Sequence, residues 1–214
     1  MITSINNLLD KFHEMSKRQK TLVIGIDGGG AAGKSTLARK FQYLNDDVTV
    51  VHMDDFYYPT KERKLINHQT EIGGNWDWNR VLNQVLVPIK QNENGYYQIY
   101  DWDNDILTEW HTVPIGGIVI IEGCYSLRKE LSFLYDVRIW IESPQDIRLE
   151  RGVQRDGGGN RDMWEKVWLP DEDRYFEVQK PADSADIVID GTGHNGDISK
   201  FEVNIDRAPE NWLE

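Results

Sequence analysis

Gly28-Gly29-Gly30-Ala31-Ala32-Gly33-Lys34-Ser35 is the stretch that decides the fold. It fits G-x-x-x-x-G-K-[ST] and stands between an apolar run, Leu22-Val23-Ile24-Gly25-Ile26, and a helical pattern over 34–44. A strand that feeds a glycine-rich turn and then a helix makes a phosphate site. The glycines let the backbone turn tightly with several N–H groups pointing inward, and the helix adds the positive end of its dipole. In this pattern Lys34 reaches the outer phosphates and Ser35 a Mg²⁺ ion. Gly28-x-Gly30-x-x-Gly33 also fits the dinucleotide fingerprint, with Asp54 placed where an acidic residue can bind a ribose. That reading gives the Lys34-Ser35 pair no role. The phosphate loop is preferred, and a purely structural glycine turn explains few of the matched positions.

Working outward, four more apolar runs have strand length: 48–51, 118–121, 137–141 and 187–189. Continuous rather than alternating apolar runs suit strands buried on both faces of a parallel sheet. Helical patterns lie between them, over 34–44, 78–90, 126–134, 144–155 and 163–179, and an amphipathic helix is expected over 3–17 from Ile5, Leu8, Leu9 and Phe12. Strands alternating with helices give an α/β fold, a three-layer parallel sheet with helices on both faces. Residues 96–100 and 109–113 alternate and are rich in aromatics, which predicts a hairpin inserted between the second and third core strands. The expected organisation is one domain over 1–214, with an N-terminal helix over 1–20, a small lobe over 55–115 and a helical lid over 148–165.

The chain has 214 residues, 39% of them apolar, enough for one domain with a core. Its formal net charge is −12, which disfavours nucleic acid as a partner and requires any nucleotide site to gather its positive charge locally. One cysteine, Cys124, precludes an internal disulfide and is expected to be a small buried residue in a reducing compartment. The first twenty residues lack a signal peptide's apolar segment, and no run is long enough to span a bilayer, so a cytoplasmic chain is expected.

The second core strand ends in His52-Met53-Asp54-Asp55-Phe56-Tyr57. Ligands of open α/β sheets lie beyond the C-terminal strand ends, so a carboxylate there can accept the proton of an attacking hydroxyl. The phosphate loop followed by Asp54-Asp55-Phe56-Tyr57 resembles the uridine kinase/phosphoribulokinase family of P-loop kinases. The resemblance spans about residues 21–191. It implies Asp54 as catalytic base, with Tyr57 beside it. It also implies Trp76-Asp77 as an aromatic-Asp pair whose Asp binds ribose hydroxyls, and Tyr100-Asp101-Trp102 as an element beside the base. Ile121-Glu122-Gly123 resembles the family's strand-end Glu-Gly, where the Glu assists Mg²⁺. Arg148, Arg151 and Arg155-Asp156 match the spacing of the lid helix, and Arg161 the arginine beyond it. The chain departs from the pattern at Gly157-Gly158-Gly159, where the family's lid carries charge. It departs again at Asp105, which stands where uridine kinases place a base-contacting His and points away from plain uridine.

The residues carry further weight by themselves. Arg151 and Arg155, four apart on one helix face, supply the local positive charge a triphosphate needs, although an exposed helix with Arg–Glu pairs has the same pattern. Trp76 and Trp102 each flank an Asp near the expected acceptor site, as a flat ring would want, while the other tryptophans read as packing. His52, His68 and His111 lack metal-ligand spacing and read as structural or surface residues. Asp171-Glu172-Asp173 reads as a solvated helix start.

The function these readings imply is transfer of the γ-phosphoryl of ATP to a hydroxyl of a small, nucleoside-like acceptor. ATP is expected on Gly28, Gly30, Ala31, Ala32, Gly33, Lys34, Ser35 and Thr36 with Arg151 and Arg155. Mg²⁺ is expected on Ser35, Asp54 and Glu122, and the acceptor among Asp54, Tyr57, Trp76, Asp77, Tyr100, Trp102, Asp105 and Arg161. The alternatives are a kinase for pantothenate or a sugar phosphate, and a non-catalytic nucleotide-binding regulator. The regulator conflicts with the retention of Lys34, Ser35, Asp54 and Glu122, and a GTPase would show N-K-x-D, which is missing.

Overall fold

Strands β1 to β9 of the computed structural model are Ile2–Ser4, Leu22–Gly28, Val48–His52, Gly95–Asp101, Ile106–Val113, Ile118–Glu122, Val137–Glu142, Ile187–Asp190 and Glu202–Arg207. The structure describes residues 1–67, 71–194, 197–200, 202–209 and 212, so His68 lies outside the described residues. The five apolar runs are β2, β3, β6, β7 and β8, and they form a parallel block in the order β8-β7-β2-β6-β3. The expected all-parallel sheet is extended at one edge. β9 pairs antiparallel with β8, and β1 antiparallel with β9. These two strands are short or alternate in burial, so neither shows the continuous apolar signature of its neighbours.

Alternation along β2 shows why that signature arises. Leu22, Ile24 and Ile26 face one core, built with Ile5, Leu8 and Phe12 of helix α1 (Ile5–Ser16) and with Leu37, Ala38 and Phe41 of helix α2 (Lys34–Leu44). Val23 faces the other core, with Val119 and Ile121 of β6 and Val81, Val85 and Leu86 of the helix over 78–90. With helices on both faces, every position of the strand is buried. The hairpin β4–β5 pairs antiparallel from Gly95↔Val113 to Asp101↔Ile106 and packs Tyr97 into the second core.

Two helices widen just before a proline. Val81–Leu86 is π-wound ahead of Pro88, and Trp164–Trp168 is π-wound ahead of Pro170. A helix-interior proline lacks an N–H and its ring crowds the carbonyl four residues back, so local widening lets the helix continue. The helix expected over 163–179 therefore runs unbroken from Arg161 to Gln179 despite Pro170. The helix expected over 126–134 is cut to Lys129–Ser132. Its first residues are drawn to the end of β2 instead. Ser126 Oγ donates to the Ile26 carbonyl at 2.9 Å, the Leu127 N–H donates to Asp27 at 2.8 Å, and Tyr125 takes φ 69°. Among the described residues no helix is long and apolar enough to cross a membrane.

Candidate active site

The glycine loop closes over the end of β2 as its pattern predicts. Gly28 has φ 150°, and a Cβ there would lie 2.5 Å from the Ile141 carbonyl oxygen, so only glycine fits. Gly33 takes φ 112° at the N-cap of α2. The first-turn amides of α2, from Lys34, Ser35 and Thr36, have no intrahelical acceptor and open on the cavity together with the dipole's positive end. Lys34 is buried; its Nζ donates to the Gly29 carbonyl at 2.8 Å and lies 3.5 Å from Cys124 Sγ. Burial opposes its charge, but the acidic neighbours Cys124, Glu122 and Glu172 outweigh it and hold the ammonium above its usual range.

Glu122 ends β6, the strand between β2 and β3, and so faces both the phosphate loop and the acidic turn. Its Oε2 accepts from Ser35 Oγ at 3.2 Å, and its Oε1 lies 2.5 Å from His52 Nδ1. That hydrogen bond, more than any other influence, raises the His52 pKa. Asp54 opens on the cavity yet is walled by protein. Desolvation first, and the Glu122 charge second, raise its pKa against the pull of Lys34 and of the Trp76 indole N–H, which donates to Asp54 Oδ1 at 3.4 Å. Asp55 turns the other way and accepts from Tyr97 OH at 2.9 Å.

Asp27 lies fully buried under this floor and accepts from the Gly28 and Leu127 N–H groups and from Tyr175 OH. Burial pushes its carboxyl up from 3.8 to about 6 in spite of those donors. A raised acid pKa favours the protonated fold. Asp27 therefore contributes stability that is full below pH 4 and lost as pH rises through about 6. The shift corresponds to about 3 kcal/mol at 1.36 kcal/mol per unit. Urea unfolding of the wild type should show this fall between pH 4 and pH 7 relative to Asp27→Asn; parallel pH profiles for the two proteins would refute it.

A cavity of about 590 Å³ joins these groups. On the side away from the loop its wall is aromatic. Tyr57 stacks on Trp102 at 4.5 Å and meets Trp76 edge-on at 5.1 Å, while Trp76 lies 4.7 Å from Tyr125. Lys34, Ser35, Thr36, Asp54, Trp76 and Glu122 thus meet at one cavity, as do Tyr57, Trp102, Arg151 and Arg155. Four expected acceptor residues do not line it. Asp77 caps the helix over 78–90, accepting from the Arg80 N–H at 3.2 Å. Asp105 accepts from the Thr60 N–H at 2.9 Å and from Tyr100 OH at 2.7 Å, so both it and Tyr100 brace the lobe. Arg161 is engaged by Glu150 and Glu165 at the surface.

The lid arginines differ in placement. Arg151 donates to the Gly191 and Thr192 carbonyls, both at 2.6 Å, beside a hollow of about 210 Å³ behind the loop that is lined by Ala32, Gly33 and Thr36. Arg155 is exposed and paired with Asp156 at 2.6 Å. Arg148 is buried and bound to Glu172 at 2.5 Å. The expectation of a solvated acidic helix start fails at its middle residue: Asp171 and Asp173 are exposed, but Glu172 is buried against the phosphate loop. Asn75, Tyr125, Asp171 and Glu172 line the cavity without belonging to any motif seen in the sequence. Asn75 directly precedes the Trp76-Asp77 pair, and Asp171 and Glu172 belong to the acidic cluster that reads as a solvated helix start.

Sheet order, glycine loop and the carboxylates at neighbouring strand ends define a P-loop phosphotransferase fold. A profile of the Phosphoribulokinase / Uridine kinase family matches residues 23–195, and the chain belongs to that family. It is a small-molecule kinase of that group. A uridine kinase from Clostridium tetani (strain Massachusetts / E88) is 29% identical over 196 residues, covering 85% of this chain and 91% of the relative. A uridine kinase from Chlamydia pneumoniae is 27% identical over 188 residues, 79% of this chain and 82% of the relative. Among solved structures, a possible uridine kinase from Bacillus stearothermophilus superposes with a TM-score of 0.62 at 24% identity, covering 85% of this chain and 98% of that one. A putative fructose transport system kinase from Silicibacter sp. TM1040 gives 0.60 at 22% identity, over 85% and 92%. At these identities the structural likeness speaks for the fold alone.

Proposed function

We propose that the chain transfers the γ-phosphoryl group of ATP to a hydroxyl of a small, nucleoside-like acceptor. The observation that carries this reading is the convergence of Lys34, the Ser35–Glu122 pair and Asp54 on one cavity whose far wall is aromatic. The triphosphate would lie along the loop, with its outer phosphates at Lys34 and at the first-turn amides of α2. The hollow beside Arg151 would take the nucleotide base. Ser35, Asp54 and Glu122 offer hard oxygen donors of the kind Mg²⁺ takes, and the ion when bound neutralises charge on the phosphates.

Asp54 would accept the proton of the attacking hydroxyl. Desolvation raises its pKa, the direction that favours proton uptake, and the Lys34 charge opposes that shift. Tyr57, Trp76, Trp102 and Tyr125 would hold a flat ring, and Asp54 and Asn75 offer it polar contacts. Arg155 would leave Asp156 for the transferring group when residues 148–165 close as a lid, keeping water out. The lobe over 55–115 would then supply acceptor selection, with Asp77 and Asp105 shaping it from outside the lining.

ADP release measured against nucleosides, vitamins and sugar phosphates tests the reading. Acceptor-dependent release with nucleosides is expected. Release confined to a vitamin or a sugar phosphate would remove the nucleoside part and leave the kinase.

A further inference from the structure

The leading half of the phosphate loop is clasped from outside by the two helices that carry residues 148–165, Gln145–Asp156 and the helix over 161–179. A Cβ on Gly29 would lie 2.1 Å from Arg148 Nη1. A Cβ on Gly30 would lie 2.7 Å from the Trp164 ring and 2.9 Å from Glu172 Oε1. Glu172 Oε1 accepts the Gly30 N–H at 2.8 Å, and its Oε2 accepts from Arg148 Nη1 at 2.5 Å. Arg148 Nε in turn donates to the Ser143 carbonyl at 3.1 Å. Both charged groups are almost wholly buried. A buried pair of this kind is weak evidence for stabilisation, because desolvation offsets the attraction, so its placement on the loop asks for a second account.

We infer that Glu172 is a positioning residue of the phosphate loop: through the Gly30 N–H and Arg148 it fixes residues 29–30, and with them the resting place of Lys34. The chain of contacts is direct. Glu172 holds the Gly30 amide, the preceding carbonyl belongs to Gly29, and that carbonyl is the acceptor of Lys34 Nζ. Three consecutive glycines would otherwise leave this turn free to sample many conformations. With Gly30 held by Glu172, that amide is turned away from a triphosphate, and the first-turn amides of α2 stand among the donors that face it. The inference rests on the kinase reading, since it assigns Glu172 a role in ATP binding.

The test separates positioning from stability. Glu172→Ala should lose thermal stability, because it strands a buried cation, and should raise the ATP dissociation constant about tenfold, as expected for one lost charge-assisted hydrogen bond. The double variant Arg148→Met/Glu172→Met replaces the pair by apolar side chains, which buried ion pairs tolerate, so it should regain thermal stability. Its Gly30 amide still lacks an acceptor, so its ATP affinity should stay about tenfold weak by calorimetric titration. Glu172→Gln keeps an oxygen for Gly30 and should bind ATP nearly as the wild type does, even where its melting temperature falls. Recovery of ATP affinity together with stability in the double variant would overturn the inference. So would weak binding by Glu172→Gln equal to that of Glu172→Ala. Lys34→Ala, titrated in parallel, isolates the underlying reading. Wild-type ATP affinity in that variant would remove the cradle itself, whereas weak affinity there beside recovery in the double variant would remove only the role of Glu172.

Discussion

Lys34→Ala is expected to lower turnover by a factor on the order of 10²–10³ while leaving the fold in place. The ammonium is buried in the cradle, bonded to the Gly29 carbonyl and under the field of the Glu122 and Glu172 carboxylates. It is held charged by those neighbours, so it meets the outer phosphates without reorganisation. Charge stabilisation of that kind is worth more inside a protein-walled cavity than at an open surface. The substitution removes no part of either hydrophobic core, which the strands and helices build without Lys34. Steady-state ADP formation beside far-UV circular dichroism checks both halves. Turnover within a few-fold of the wild type would show that the loop does not handle the transferring group.

Asp54→Asn should retain ATP binding and lose transfer, again by a factor on the order of 10²–10⁴, the range of general acid–base catalysis. Asp55→Asn should be far milder. The two residues are adjacent but face different surroundings. Asp54 stands in the cavity near Glu122 and Lys34, where an attacking hydroxyl can reach it, and desolvation raises its pKa. Asp55 spends an oxygen on Tyr97 OH of the hairpin and serves the lobe's packing. Initial-rate assays of both variants with ATP titrations settle the register. An inactive Asp55→Asn beside an active Asp54→Asn would place the proton acceptor one residue later and undo the assignment.

What was legible in the sequence was what is local in the chain. β2, the glycine loop and α2 follow one another within 23 residues, from Leu22 to Leu44, and each leaves its own pattern. Asp54 and Glu122 were legible because strand ends are marked by apolar runs, and parallel strands point those ends the same way. β9 was not, because a strand whose positions alternate between buried and exposed carries too few apolar residues to stand out. Glu172 was misread for a related reason. Between Asp171 and Asp173 it looks like surface charge, and only the tertiary fold carries it to Gly30, 142 residues earlier. Asp77 and Asp105 show the converse. Their spacing placed them near an acceptor, but a helix N-cap and a loop amide with a tyrosine hydroxyl take up their oxygens. Short polar side chains compete for such local backbone partners, and sequence spacing does not reveal which partner wins.

The most direct test follows the phosphoryl group itself, with ATP labelled at the γ-phosphate and incubated with the protein, Mg²⁺ and a nucleoside acceptor. The account predicts label appearing as a phosphate ester on the acceptor, one for each ADP formed, and abolished in Asp54→Asn. Label released only as inorganic phosphate, at a rate indifferent to the acceptor, would contradict it.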